Sequence, residues 1–308
     1  MPRPLATVGN VNVDLIMGPL DPWPQPGTEV LCAQDETRVG GAAGNVALAW
    51  QALGVPFQIA ATTGSDHYGD WLRAGFPRVS AGWPRTAGRT TISVGVTHPD
   101  GERTFLSTAG HLPDFCWDDV AAQLDWPALA GGYLLLCGSF LSPRLAAAYD
   151  RIFDAAEAHD ITVALDTGWP PQGWTADTRA RCLQWVARSG VLLLNEIEAM
   201  SLTDRAEIAP ALADLSDLAA GQPGGGIVVI KRGPAGATAR AGGQTLTAAA
   251  PAVDVIDTIG AGDTFNAAFL AALAAGGRPQ AALEQAVACA SRAVSTRPRQ
   301  FTPREIFA

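Results

Sequence analysis

The chain has 308 residues, 48% of them hydrophobic and 17% charged, which is enough for a large buried core in one α/β domain or two smaller ones. Its net charge of -9 and pI near 4.9 argue against nucleic acid or an anionic membrane surface as the main partner. Five scattered cysteines form no Cys-x-x-Cys pair, so zinc and redox motifs are unsupported and cytosolic thiols are expected; no apolar run approaches membrane-spanning length.

Short apolar runs alternate with amphipathic segments. Leu5 to Val8 reads as a first strand ending at Gly9. In Gly9-Asn-Val-Asn-Val-Asp14, period two puts Asn12 and Asp14 on one face. Thr28 to Val39 reads as extended. Ala43 to Leu53 reads as a helix closed by Gly54, followed by a strand from Phe57 to Ala61. Between Asp70 and Thr91 no helix-to-strand pattern is easy to find. Thr91 to Val96 alternates, Asp100-Gly101 is a hairpin signal, and Thr104 to Leu106 would return. Strands are expected at Tyr133 to Cys137, Ile161 to Leu165, Val191 to Leu194 and Ile227 to Ile230, with a helix over Pro143 to His159. Strands alternating with helices imply a mostly parallel sheet covered on both faces, with ligands outside the carboxyl ends of the strands. Asp166, Asn195 and Lys231 fall at that edge.

The run Asp257-Thr-Ile-Gly-Ala-Gly-Asp-Thr-Phe265 precedes an Ala-rich apolar segment, Asn266 to Ala275, stopped by Gly276-Gly277. Gly260 and Gly262 flank Ala261 where a helix should begin. Free N–H groups at a helix N-terminus form an anion site, and glycines let a phosphate approach the backbone closely. Asp263 stands at the same point. An anion hole beside a potential base is what phosphoryl transfer to a hydroxyl needs. The same aspartate could instead be an N-cap. A dinucleotide-binding reading fails, because Phe265 takes the third glycine position and too little chain follows.

That run resembles the second signature of the PfkB (ribokinase-like) family of small-molecule kinases. Gly40-Gly41-Ala-Ala-Gly-Asn45-Val-Ala47, with Gly54 and Gly64 at the expected spacing, resembles the first. The resemblance covers essentially the whole chain, most weakly from Asp70 to Thr91 and after Ala293. It implies a single ribokinase-like α/β domain over residues 1–308: a mostly parallel central sheet, helices on both faces, and a small antiparallel β lid from segments 15–39 and 89–108. It also implies a cytoplasmic enzyme and a homodimer through the lid.

The resemblance assigns roles to the matching residues. Asp263 would accept the proton of the attacking hydroxyl, and Gly260, Ala261 and Gly262 would offer N–H groups to the transferring phosphoryl. Asn12, Asp14, Gly40, Gly41 and Asn45 would hold the acceptor. Asn195 and Glu198, which also read as a capping box, would face magnesium waters and phosphates. Gly233 and Gly236 would form a nucleotide-side turn. Asp257 would anchor the loop and help bind a potassium ion where one is used. The implied cofactors are ATP and Mg2+, with K+ as an option.

Three departures fall on the acceptor side: the stretch between Asp70 and Thr91 looks short, Thr167-Gly168-Trp169 stands where many relatives carry Asn and Arg, and Ala42 where sugar kinases often carry Lys or Ser. A neutral sugar is the first expectation for the acceptor and a nucleoside the alternative. A carboxylated or phosphorylated sugar would need a cation, which Arg38, Arg89 or Arg103 could provide. A non-catalytic, sugar-sensing protein on the same fold is the competing reading. No Gly-x-x-x-x-Gly-Lys-Ser/Thr loop, protein-kinase motif set or Gly-x-Ser-x-Gly elbow is present.

Overall fold

The computed structural model describes residues 2–99, 103–222 and 225–301. The expected turn at Asp100-Gly101 lies outside the described residues.

An eight-stranded sheet forms the centre. In chain order its strands are β1 (Leu5–Val8), β4 (Gln58–Ala60), β9 (Tyr133–Leu136), β10 (Thr162–Leu165), β11 (Val191–Asn195), β12 (Ile227–Lys231), β13 (Ala237–Ala241) and β14 (Gln244–Ala248). They lie in the order β14-β13-β12-β11-β10-β9-β1-β4. The six strands from β4 to β12 run parallel; β13 and β14 add an antiparallel hairpin at one edge.

The central strands are continuous apolar runs because both faces are covered. Leu135, Leu193 and Val229 enter one core, and their neighbours Leu134, Leu136, Leu192, Leu194, Val228 and Ile230 enter the other. The first core is closed by α1 (Ala42–Ala52), α9 (Ala261–Ala274) and α10 (Pro279–Val294). The second lies under α3 (Trp117–Gln123), α5 (Tyr149–Ala158), α6 (Ala176–Ala187), α7 (Glu196–Thr203) and α8 (Ile208–Ala219). The Ala-rich α9 is buried along most of its length, where small side chains let helices approach closely on both sides. Fully buried Trp50 of α1 donates its indole N–H to the Ala267 carbonyl at 2.9 Å, which fixes α1 against α9.

A second sheet stands off the first, in the order β3-β2-β7-β8: β2 (Asn12–Gly18), β3 (Gln34–Gly40), β7 (Ile92–Thr97) and β8 (Arg103–Ser107). Its outer pairs are antiparallel and its central pair, β2 with β7, is parallel. β2 begins only four residues after β1 ends, so the small sheet projects from the carboxyl edge of the large one.

Three expectations are corrected. The helix over Pro143 to His159 is two, α4 (Pro143–Ala146) and α5, separated where Ala148 leaves helical geometry; Tyr149 then turns inward, fully buried, to meet Ser139 at 2.8 Å. Only the second half of Thr28 to Val39 pairs as a strand. The segment from Asp70 to Thr91 does contain a helix, α2 (His67–Gly75), capped by Asp66, which accepts from Gly69 N–H at 3.0 Å. Its end is followed by β6 (Arg85–Thr86), paired with β5 (Thr63–Gly64). Among the described residues, no helix is long and apolar enough to cross a membrane.

Candidate active site

The carboxyl edge of β1, β10, β11 and β12, the start of α9 and the inner face of the small sheet converge on one cleft. At its base, Gly260 takes the left-handed conformation (φ 72°) and serves as N-cap of α9 without a side-chain cap. Asp263 is therefore two positions past the first helical residue, not the N-cap. Its Oδ2 accepts from Asn45 Nδ2 at 2.8 Å. Ala261 N–H donates to the Thr258 carbonyl at 3.2 Å, which removes it from the expected donors. The N–H groups of Gly260, Gly262 and Asp263 have no partner among the described residues. These orphan donors, with the positive end of the α9 dipole behind them, are suited to an anion.

Burial pushes the Asp263 carboxyl up to about 7, and the nearby Asp166 carboxylate pushes the same way; Asn45 and Lys231 oppose them. A helix dipole alone would predict a weak base. The tertiary environment makes Asp263 a stronger one, poised near neutral pH.

Lys231 is the main residue that sequence reasoning left aside. It was visible at a strand end, but its partners come from distant segments. From the end of β12, Nζ reaches Asp166 Oδ2 at 2.8 Å and Asn266 Oδ1 at 3.1 Å, and Asn266 Nδ2 closes the triangle on Asp166 Oδ2 at 2.5 Å. Burial pulls the Lys231 pKa down, but Asp166 and Glu198 outweigh it and the net shift is upward. A side chain on Gly262 would lie 3.4 Å from Lys231 Nζ, so this ammonium sits directly beneath the anion loop.

On the acceptor side, Asn10, Asn12 and Asp14 form a buried chain. Asn10 Nδ2 donates to Asn12 Oδ1 at 3.1 Å, and Asn12 Nδ2 donates to Asp14 Oδ1 at 2.8 Å and to Ser93 Oγ at 3.3 Å. Burial raises the Asp14 carboxyl to about 6 against the pull of Arg38 and Asn12. Gly40 and Gly41 exist to make room for this chain. A Cβ on Gly40 would fall 2.0 Å from Asp14 Oδ1, and one on Gly41, at φ 82°, 2.4 Å from the Asn10 carbonyl.

On the opposite side, Asn195 and Glu198 form a reciprocal capping box at 2.8 and 2.9 Å. Burial pushes Glu198 up to about 7, with Asp166 adding to the shift. Gly233 and Gly236 bound a short turn after β12. Gly236 is required because a Cβ would strike the Ala248 carbonyl at 1.9 Å; the space in front of Gly233 is open.

Asp257, expected to anchor the loop, is engaged by cations of the chain itself. Its Oδ2 is held by Arg38 and by Arg299, the latter at 2.9 Å, and its Oδ1 accepts from Ile259 N–H at 2.8 Å. Two guanidinium groups supply positive charge at this carboxylate. Asp257 does anchor the loop, and it ties that loop to β3.

The chain matches the model of the pfkB family of carbohydrate kinases over residues 3–304. It is 27% identical to a ribokinase of Bacillus subtilis (strain 168) over 295 residues, 95% of this chain and 93% of that one. It is 30% identical to a fructokinase of Klebsiella pneumoniae over 253 residues, 78% of each chain. An Arabidopsis thaliana ribokinase solved with ribose and ATP superposes with a TM-score of 0.77, at 24% identity, over 96% of this chain and 94% of that one, which establishes the ribokinase-like fold. With both signature segments meeting at one cleft and a family match across nearly its whole length, the chain belongs to the pfkB family of carbohydrate kinases.

Proposed function

We propose that the chain transfers the γ-phosphoryl group of ATP to a hydroxymethyl group of a sugar or sugar derivative. The observation that carries this reading is Asp263, whose carboxyl is held by Asn45 at 2.8 Å beside orphan N–H groups at the start of α9. ATP as donor is supported by the ribokinase solved with ribose and ATP.

Asp14, Asn12 and Asn45 orient the acceptor polyol, since an amide can both donate and accept to hydroxyls. The acceptor oxygen bonds to γ-phosphorus as the bond from phosphorus to the bridging oxygen breaks, and ADP leaves. Asp263 takes the hydroxyl proton as that oxygen loses basicity. The N–H groups of Gly262 and Asp263 face the charge on the transferring group, with the Lys231 ammonium beneath them. Such preorganised donors are each worth about 3 kcal/mol in the transition state. The Gly260 N–H is a further donor beside them, unpaired among the described residues, and Ala261 serves the loop through its shape.

Asp166, Glu198 and Asp263 all act on the Lys231 ammonium, and burial first, then Asp166, raises the Glu198 and Asp263 carboxyls. Among the described residues no three acidic, histidine or cysteine groups gather as a metal site of their own, so a divalent cation would arrive with the nucleotide. Glu198 and Asn195 would hold magnesium through water, and magnesium would neutralise phosphate charge. Gly233 offers open backbone on which a nucleotide base could rest, in the turn that Gly236 closes. The small sheet acts as a lid that excludes water from the transfer. Exposed Met17, Leu31 and Leu106 on that sheet and its loop support a dimer through the lid, which sedimentation velocity tests.

The test is a coupled ADP-release assay with Mg-ATP and a panel of sugars, with Asp263→Asn as control. Acceptor-dependent release that collapses in the variant supports the reading. Equal release in the variant removes Asp263 from its role, and silence on every acceptor favours a sensing protein.

A further inference from the structure

A cavity of about 360 Å³ lies between the small sheet and the segments 255–258 and 296–299. Arg38, Arg103, Arg297 and Arg299 line it, against Asp35, Glu36 and Asp257. Cations outnumber acids here in a chain whose net charge is -9. Arg297 lies 3.5 Å from Glu36. Arg38 and Arg299 share the single carboxylate of Asp257, and Asp14 is the other acid that acts on both.

Arg38 is the telling residue. It faces Asp14 across the β2–β3 ladder, on the acceptor side of the sheet. Its Nη1 donates to Asp257, while Nε and Nη2 are buried and have no partner among the described residues. Those two nitrogens form the lateral edge of the guanidinium, whose parallel N–H groups match the two oxygens of a carboxylate or phosphate. Leaving charged donors buried and unsatisfied is costly, so an unpaired edge beside an acceptor pocket needs a physical reason. Arg299 links this edge to the chemistry: Nη2 is 2.9 Å from Asp257 Oδ2, and Nη1 lies 3.0 Å from where a Cβ on Gly260 would stand. Arg299 therefore links the Arg38 cluster to the loop at Gly260.

Resting on the kinase reading, we propose that the acceptor is an anionic sugar derivative whose carboxylate or phosphate seats on the Nε/Nη2 edge of Arg38 while its hydroxymethyl group meets Asp263. This replaces the neutral sugar expected from sequence. Carboxylate and phosphate offer the same paired oxygens, and the experiment separates them.

The full chain is assayed for ADP release with Mg-ATP on glucose and gluconate, and on fructose and fructose 6-phosphate, each offering a free hydroxymethyl group. One anionic acceptor should exceed its neutral parent in kcat/KM by about a hundredfold or more, the discrimination expected of a site built to hydrogen-bond the missing group. Preference for gluconate identifies a carboxylate, and for fructose 6-phosphate a phosphate. In Arg38→Gln that preference should fall by about tenfold or more, and Arg38→Lys, which keeps charge but lacks the fork, should restore it only in part. Isothermal titration of the preferred anion against each variant, with a thermal melt confirming folding, separates lost recognition from lost structure. Neutral parents turned over as well as their anionic partners, or a preference unchanged in Arg38→Gln, overturns the proposal but leaves the kinase reading standing. No acceptor-dependent release with either class overturns both.

Discussion

Asn45 Nδ2 donates to Asp263 Oδ2 at 2.8 Å across 218 positions of sequence, joining the first helix of the chain to the helix that carries the anion loop. This bond stabilises the ionised carboxylate, opposing the burial that raises its pKa to about 7. Asp263→Asn should lower kcat by roughly two to four orders of magnitude, the usual contribution of a positioned base. Asn45→Ala should keep the base but raise its pKa further, so the acid limb of kcat/KM, expected near pH 7, moves to higher pH. Steady-state profiles between pH 5 and 9 in wild type and both variants check these outcomes.

Ionisation of the same acids should tax stability. Asp14, Glu198 and Asp263 all have folded pKa values above their ordinary range, at about 6, 7 and 7. Between the unfolded and folded values the native state holds more protons, so stability falls as pH rises. The ligand-free protein should lose stability progressively from about pH 4 to 7 through these groups, with a shallower slope in Asp263→Asn. Urea titrations across that range read it directly.

Lys231→Met should be destabilising as well as inactivating. The Lys231–Asp166 pair is 2.8 Å long with side chains only 11% and 10% exposed. Removing one member leaves an unpaired buried carboxylate, a loss of about 3 kcal/mol or more. Chemical denaturation measures the first effect, and ADP release at a temperature where the variant is folded measures the second. Unchanged stability would mean that Asp166 is neutralised in some other way.

Gly40→Ala should act on acceptor binding. Its methyl would occupy the place of the Asp14 carboxylate, 2.0 Å from Oδ1. Asp14 must move, so KM for the acceptor should rise well before KM for ATP does. Parallel saturation curves for the two substrates test this, and an equal rise in both would point to general damage.

Potassium should have little effect. Asp257 is engaged by Arg38, Arg299 and the Ile259 N–H, leaving no carboxylate oxygen without a partner. Rates in potassium and sodium buffers of equal ionic strength should coincide. A strong activation by potassium would require one of the two arginines to move.

Much of the architecture was legible in the residues because local rules govern it. The first strand, Leu5 to Val8, is bounded as expected, since an apolar run ending at a glycine needs no distant information. The start of α9 was legible for the same reason: two glycines and an acid before an Ala-rich run specify a helix N-terminus. Asn195 and Glu198, three apart, formed the expected capping box. The sequence alone thus determined the alternating α/β plan, the helix start after Gly260 and the acid in its first turn.

Only the tertiary structure decided what those residues feel. Lys231, Asp166 and Asn266 come from three separate segments, and their triangle exists because β10, β12 and α9 end at one point. The pKa of Asp263 depends on how much protein surrounds it, a long-range quantity that no local motif encodes. Asp257 shows the same division: its place in the signature marked it as a loop anchor, but Arg38 from β3 and Arg299 from beyond α10 determined its charge partners. Periodicity and turn chemistry act over a few residues and can be read along the chain. Burial and Coulomb interactions act through space, and folding alone sets those distances.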